Sequence, residues 1–85
     1  MTADSSGKAK GAFRNIGEVS EEIGVTKNIL RYWEPRFPQI ELLRRGNRRY
    51  YRPSDVALLL RIKDLIYDEG HTIREVQAML NRKRP

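Results

Sequence analysis

The sequence contains no cysteine, a single histidine and no long apolar run. The lack of cysteine excludes disulfides and thiolate metal sites, and it is compatible with a reducing compartment. The longest apolar run covers residues 56–60, far short of the roughly 20 residues that span a bilayer, and the N-terminus lacks a signal-peptide core. We therefore expect a cytoplasmic protein with no membrane segment.

Residues that carry catalytic chemistry are also scarce. The chain of 85 residues has room for one small domain with a modest core. Its one histidine, His71, stands just ahead of a helix start, and no carboxylate pair or glycine-rich phosphate loop accompanies it. We interpret His71 as a polar residue flanking a helix. The sequence predicts no enzyme, no cofactor and no metal site.

Acidic residues are missing from one arginine-rich stretch. The whole chain has 17 Lys+Arg against 11 Asp+Glu and a net charge of +6, which favours an anionic partner such as nucleic acid. Residues 42–52 contain no acid and five arginines: Arg44, Arg45, Arg48, Arg49 and Arg52. They flank Gly46-Asn47, a dipeptide that favours a two-residue hairpin turn. The stretch predicts a β-hairpin, or wing.

Two functions are open for this wing. Guanidinium groups that point into solvent can pair with phosphate oxygens, which favours nucleic-acid contact. Alternatively, the charge only blocks edge-to-edge aggregation of the hairpin. Tyr50 and Tyr51 point to opposite faces of the predicted strand, so one packs on the core while the other offers its hydroxyl to a backbone phosphate.

Apolar spacing before the wing predicts two short helices. Ile16, Val19 and Ile23 share one helix face, and Gly24 ends that helix. Thr26 is the predicted N-cap of the second helix, whose buried stripe is Ile29, Leu30 and Trp33. The pair forms a helix-turn-helix pattern. Its second helix keeps a polar, cationic face, which either enters a DNA groove or is simply solvated. This face is formed by Lys27, Asn28, Arg31 and Tyr32.

Two further helices are expected after the wing. Pro35 and Pro38 end the second helix, and a third helix with a broad apolar face begins after Pro53, with Ser54 or Pro53 in its capping region. Gly70 ends it. Thr72 and Glu75 form a capping box that opens a fourth helix, with Val76, Met79 and Leu80 facing inward. The predicted fold is mainly α with a small β-hairpin, a winged helix-turn-helix of about four helices. We expect a flexible leader at 1–12, the domain at 13–81 and a basic tail at 82–85.

Three stretches, "IGEVSEEIGVTKNILRYWE", "RRYYRPSDV" and "DEGHTIREVQAML", resemble the DNA-binding domain of the MerR family of bacterial transcription regulators. The likeness covers about residues 13–81. It implies a dimer that binds a pseudo-palindromic promoter in double-stranded DNA and distorts it for RNA polymerase, and hence a nucleoid-associated location in the cytoplasm.

The resemblance also implies roles for particular residues. The family's helix motif falls on Leu30-Arg31-Tyr32-Trp33-Glu34, so Arg31 and Tyr32 would contact DNA, and its wing motif falls on Arg49-Tyr50-Tyr51. We expect Lys27 and Asn28 to contact bases, and wing arginines to contact phosphates, with Arg49 contributing more than Arg48. The expected DNA-binding residues are Thr26, Lys27, Asn28, Arg31, Tyr32, Arg44, Arg48, Arg49 and Tyr50.

The chain departs from the family pattern at two places. Residues 35–39, Pro-Arg-Phe-Pro-Gln, lie between the second helix and the wing where typical members have a short glycine-leucine loop. The chain also stops where members continue into a dimerisation helix, so we expect a fragment of a longer dimeric regulator or a minimal, excisionase-like DNA-binding protein. The 85-residue chain is expected to be monomeric. A rival interpretation is a winged-helix module that binds chaperones or polymerase.

Overall fold

The structure, a computed structural model, describes residues 13–82. The predicted leader lies outside the described residues, and so does the predicted basic tail apart from the backbone of Arg82. The elements, in chain order, are β1 (Arg14–Asn15), α1 (Ile16–Ile23), α2 (Lys27–Trp33), a 3-10 helix (Glu34–Arg36), β2 (Leu43–Arg45), β3 (Arg48–Tyr51), α3 (Pro53–Lys63), a π-helix (Asp64–Asp68) and α4 (Ile73–Arg82). This confirms the predicted winged helix-turn-helix with four α-helices.

α1 has a defined start and a defined end. The Asn15 side chain accepts a hydrogen bond from the backbone N–H of Glu18 at 2.9 Å, and the Glu18 carboxylate accepts one from Asn15 N–H at 3.0 Å. This capping box satisfies amides that have no partner within the helix. At the other end Gly24 adopts the left-handed conformation, with φ of 87°. The predicted stop at Gly24 is therefore confirmed, whereas the cap at Asn15 was not predicted.

The wing belongs to a three-stranded antiparallel sheet of order β1-β3-β2. The predicted hairpin is present, with Arg44 opposite Arg49 and Arg45 opposite Arg48 across its turn. Gly46 in the turn has φ of 59°, a conformation that glycine adopts without steric cost. The short strand β1 was not predicted. It places Arg14 opposite Tyr51 on the other side of β3 and so attaches the hairpin to the start of α1.

α3 begins differently from the sequence-based expectation. Its N-cap is Arg52 rather than Ser54 or Pro53, and Pro53 occupies the first helical turn. The buried carboxylate of Asp55, 1% exposed, accepts the backbone N–H of Arg52 and that of Glu41, each at 3.0 Å. Asp55 therefore anchors the segment before the wing to the first turn of α3.

The apolar face of α3 is narrower than its composition suggests. Leu60 is 37% exposed, while Val56, Leu59 and Ile62 are buried. The helix continues as a π-helix, which the sequence did not predict. Gly70, with φ of 74°, follows it.

α4 opens with the predicted capping box. Glu75 N–H donates to Thr72 Oγ1 at 3.0 Å, and Thr72 N–H donates to Glu75 Oε1 at 2.9 Å. Val76 and Leu80 are buried as predicted, and Met79 is partly buried against the core. The backbone N–H groups of Thr72 and Glu75 therefore both have hydrogen-bond acceptors at the start of α4.

Residues 35–39 contribute to the core instead of forming an open loop. Phe37 is fully buried, and Ile40 just after it is 8% exposed. Gln77 of α4 donates to the carbonyl oxygen of Arg36 at 2.7 Å, and Gln39 donates to Asn81 at 3.1 Å. The segment is therefore held between the core and α4.

Among residues 13–82, no helix has both the length and the apolar character needed to cross a membrane.

Candidate nucleic-acid interface

α2 presents one apolar and one polar face. Leu30 and Trp33 are buried, at 0% and 3% exposure. Thr26 is the N-cap, and its hydroxyl oxygen accepts the N–H of Ile29 at 3.2 Å. The four residues of the predicted cationic face are all exposed: Lys27, Asn28, Arg31 and Tyr32. The side chains predicted for groove contact are thus free of the core.

Two residue pairs make contacts at this exposed face. Arg31 Nη1 lies 3.5 Å from Asn28 Oδ1, one turn earlier on the helix. Arg36 places its guanidinium carbon 3.5 Å from the centroid of the Tyr32 ring and donates a 2.8 Å hydrogen bond to the Tyr32 carbonyl oxygen. Tyr32 itself remains 50% exposed. Its ring is therefore accessible yet held on one side.

The wing has two distinct faces because side chains alternate along its strands. The register of β2 and β3 places Leu43, Arg45, Arg48 and Tyr50 on one side, the outer wing face. Arg44, Arg49 and Tyr51 form the other side, the inner wing face. Tyr51 is fully buried, whereas Tyr50 is only partly buried. The two tyrosines thus divide as expected, one in the core and one near solvent.

Glu34 links the inner wing face to α2. It is the C-cap residue of α2, and its side chain is only 6% exposed. Its Oε1 accepts a hydrogen bond from Arg49 Nε at 2.9 Å and lies 3.7 Å from Arg44 Nη2. Its Oε2 accepts a hydrogen bond from the Tyr51 hydroxyl. The wing is therefore fixed to the end of α2 by one carboxylate.

The same cluster perturbs Tyr51. Burial raises the pKa of the Tyr51 hydroxyl well above its usual value, and the hydrogen bond to Glu34 and the negative charge of Glu34 raise it further. The positive charges of Arg49 and Arg31 act in the opposite direction and do not overcome these effects. The charge of Arg31 in α2 thus acts on a hydroxyl of the inner wing face. The end of α2 and the wing adjoin at Glu34.

Arg45 and Arg48 on the outer wing face stand directly opposite each other. Both are exposed. Within residues 13–82, neither forms an ion pair with a carboxylate. Like charges directly opposite across a strand pair are destabilising, and an anion from outside the domain would relieve their repulsion. By contrast, Arg52 is paired with Asp55 at 3.1 Å and with Glu41 at 3.4 Å.

Two of the concave regions that residues 13–82 line adjoin the wing. One, of about 230 Å³, follows the turn and is lined by Arg44, Gly46, Asn47, Arg48 and Arg49. The other, of about 360 Å³, lies on the outer wing face and is lined by Phe13, Leu43, Arg45 and Tyr50. Phe13 there is 43% exposed. The first region is suited to an anion, and the second combines apolar surface with one cation.

The structure brings the predicted DNA-binding residues onto α2 and the wing, but it divides the arginines. The expectation that the guanidinium groups point into solvent holds for Arg45 and Arg48 and fails for Arg49, which is 24% exposed and paired with Glu34. Arg45 was not among the predicted contacts, although the two-residue turn already implied its position opposite Arg48. Arg36 and Glu34 were also missed.

Among the described residues, no cluster of three or more His, Cys, Asp or Glu side chains has the geometry of a metal site.

The helix-turn-helix, the wing and the exposed cationic face together define a winged helix-turn-helix protein of the nucleic-acid-binding class. A family model described as MerR HTH family regulatory protein matches residues 14–83. The chain belongs to this MerR family, whose members are DNA-binding, non-enzymatic transcription regulators. Searches of curated proteins and of solved structures return no significant match.

Proposed function

We propose that this regulator binds double-stranded promoter DNA sequence-specifically, with α2 in the major groove and the wing on the phosphate backbone. The observation that carries the proposal is the Glu34 cluster, because it fixes a cationic hairpin against the end of an exposed cationic helix. A fixed arrangement reduces the entropy that is lost when several contacts form together.

At the start of α2, Lys27 and Asn28 are the residues we assign to base edges. Both are exposed in the first turn of α2. Lysine donates to guanine acceptors, and asparagine makes paired hydrogen bonds with adenine. Thr26 keeps its hydroxyl proton while its oxygen caps the helix, so it can donate to a phosphate beside the groove. The start of α2 would then supply sequence preference.

Phosphate contacts are assigned to the remaining residues. Arg31 and Tyr32 follow on the exposed face of α2, where they can brace the helix against one strand. On the wing, the assignment covers Arg44, Arg48, Arg49 and Tyr50. Arg45 joins them because it is exposed opposite Arg48. These contacts would supply affinity without sequence preference.

Family membership supports a further part of the proposal. We propose that the functional unit in the cytoplasm is a homodimer on a pseudo-palindromic promoter, where two half-sites place two α2 helices in successive major grooves. RNA polymerase would then be the partner that responds to binding.

Selection of bound duplexes from random DNA tests the proposed function. The wild-type chain should enrich a short motif, and Lys27→Ala or Asn28→Ala should relax preference at particular positions, by about 1–3 kcal/mol for a good base contact. Arg61→Ala provides a matched loss of a cation on α3. Enrichment of no motif by the wild-type chain would contradict sequence-specific recognition.

The outer wing face favours a second candidate function, contact with a protein. Its concave region combines the exposed Phe13 with Leu43 and Tyr50, and aromatic surface of this kind is common at protein interfaces. Competition separates the two functions. Binding of a protein partner through Phe13 should persist when duplex DNA is added and should depend weakly on salt, whereas duplex binding weakens steeply as salt rises.

A further inference from the structure

Arg36 is fixed from two directions at the end of α2. Its backbone carbonyl oxygen accepts a hydrogen bond from Gln77 of α4 at 2.7 Å. Its guanidinium carbon lies over the Tyr32 ring, 3.5 Å from the ring centroid, and its Nη1 donates to the Tyr32 carbonyl oxygen at 2.8 Å. The neighbouring Trp33 and Phe37 are buried, which fixes the backbone of the 3-10 helix between them. The Arg36 side chain would therefore lose little conformational entropy on binding a ligand.

The charge of Arg36 has no carboxylate partner within residues 13–82. One of the five N–H groups of a guanidinium is used by Tyr32, and the others are not engaged by any described residue. A planar, pre-oriented guanidinium with free N–H groups matches the paired oxygens of a phosphate. Arg36 is also partly exposed next to Tyr32, on the face assigned above to DNA.

We propose that Arg36 and Tyr32 form one phosphate-binding unit, in which Arg36 both contacts the DNA backbone and holds the Tyr32 ring in place. This inference rests on the proposed function. It assigns a role to residues 35–39, the segment that separates α2 from the wing. Arg36 would extend the phosphate contacts of the wing to the C-terminal end of α2.

A purely structural role for Arg36 makes different predictions. A cation near the last carbonyl groups of a helix stabilises that helix even without DNA. Such a role would change the melting temperature of the free protein but not the number of phosphates that the protein neutralises. The salt dependence of DNA binding therefore separates the two roles, because each neutralised phosphate contributes about 0.9 to the slope of log affinity against log salt.

The experiment uses the full chain and a short labelled duplex, with affinity measured by fluorescence anisotropy at several salt concentrations. Arg36→Gln should lower the salt slope by about 0.9. Arg36→Lys should keep the slope and weaken binding about two- to fivefold, because lysine keeps the charge but lacks the planar guanidinium that contacts the Tyr32 ring. Combining Arg36→Gln with Tyr32→Leu should cost less than the product of the two single losses. Arg61→Gln is the matched control, and circular dichroism verifies folding.

Several results would overturn the role of Arg36. If Arg36→Gln lowers the melting temperature but leaves the salt slope unchanged, Arg36 stabilises the helix end and does nothing more. If Arg36→Gln fails to fold, Arg36→Lys decides, and unchanged affinity in that variant rules out the stacked unit. If the wild-type chain binds duplex DNA normally, either of these results overturns only the role of Arg36. A wild-type chain that does not bind duplex DNA overturns the proposed function as well.

Discussion

Tyr51 and Glu34 are joined by a hydrogen bond from the tyrosine hydroxyl to the glutamate carboxylate, although they lie 17 residues apart in the chain. One is the last residue of β3 and the other caps α2. Because both side chains are almost fully removed from solvent, neither group can exchange its partner for water without opening the domain. The hydrogen bond therefore fixes the position of the wing relative to α2 whenever the domain is folded.

Removing the Glu34 carboxylate should destabilise the domain. Glu34→Ala leaves the buried Tyr51 hydroxyl without an acceptor, and we expect the free energy of unfolding to fall by about 1–3 kcal/mol. Glu41→Ala removes an exposed carboxylate that is paired with Arg52 at 3.4 Å and should cost about 0–1 kcal/mol. Urea denaturation measures both values. Equal losses in the two variants would contradict a special role for Glu34.

The perturbed Tyr51 hydroxyl predicts a loss of stability at alkaline pH. Burial and Glu34 raise its pKa in the folded state, so the stabilising effect is complete below about pH 10, the usual tyrosine pKa. Above that pH the unfolded chain releases the proton while the folded chain retains it, and stability falls by up to about 1.4 kcal/mol per pH unit. Tyr51→Phe should show a shallower decline in urea denaturation between about pH 10 and 11. Parallel profiles for the variant and the wild type would refute this assignment.

Asp55 predicts the opposite dependence at acid pH. Burial acts to raise its pKa, but hydrogen bonds from the Arg52 side chain and from the Glu41 and Arg52 amides outweigh burial and hold the pKa below its usual value. Its contribution is therefore present above about pH 3.9, the unfolded value, and is lost as pH falls through the lower folded value.

Asp55→Asn tests this dependence. The variant should lose about 1.5–3 kcal/mol at neutral pH and approach the wild type under strongly acidic conditions. Asp68→Asn, on an exposed residue of the π-helix, is the control and should change little at either pH. A difference between Asp55→Asn and the wild type that stays constant with pH would show that the Asp55 charge is not the cause.

The wing arginines should contribute unequally to DNA binding. Arg45→Ala and Arg48→Ala should each lower the salt slope on a non-specific duplex by about 0.9, because both guanidinium groups lack a carboxylate partner within the described residues. Arg49→Ala should lower the slope less and destabilise the fold more, because Glu34 already pairs with it. This order reverses the expectation from sequence alone. Fluorescence anisotropy at several salt concentrations decides between the order expected from the structure and the order expected from the sequence, with Arg61→Ala as the control.

Local features of the fold could be predicted from sequence because their physical causes lie within a few residues. Gly24 ends α1, Thr26 caps α2, and Thr72 with Glu75 opens α4, each through contacts to neighbouring backbone. The hairpin followed from Gly46-Asn47 and its flanking residues for the same reason. Such patterns need no knowledge of the rest of the chain.

The missed features depend on contacts between residues distant in sequence. Nothing near Glu34 reveals that its carboxylate will meet Arg49 and Tyr51, and nothing near Asp55 reveals that it will accept the amide of Glu41. The short strand β1 exists because β3 offers it a free edge. The expected DNA contacts themselves remain predictions, now placed on a defined surface.

β1 connects to β3 across the whole helix-turn-helix, with Arg14 opposite Tyr51. Closing so long a loop costs conformational entropy before its contacts form, whereas the hairpin turn and the capped helices are local and fast. We therefore expect the β1–β3 pairing to form late in folding. Until it does, the arginine-bearing hairpin lacks its attachment to the start of α1. We expect partly folded chains without this attachment to compete poorly with mature protein for duplex sites.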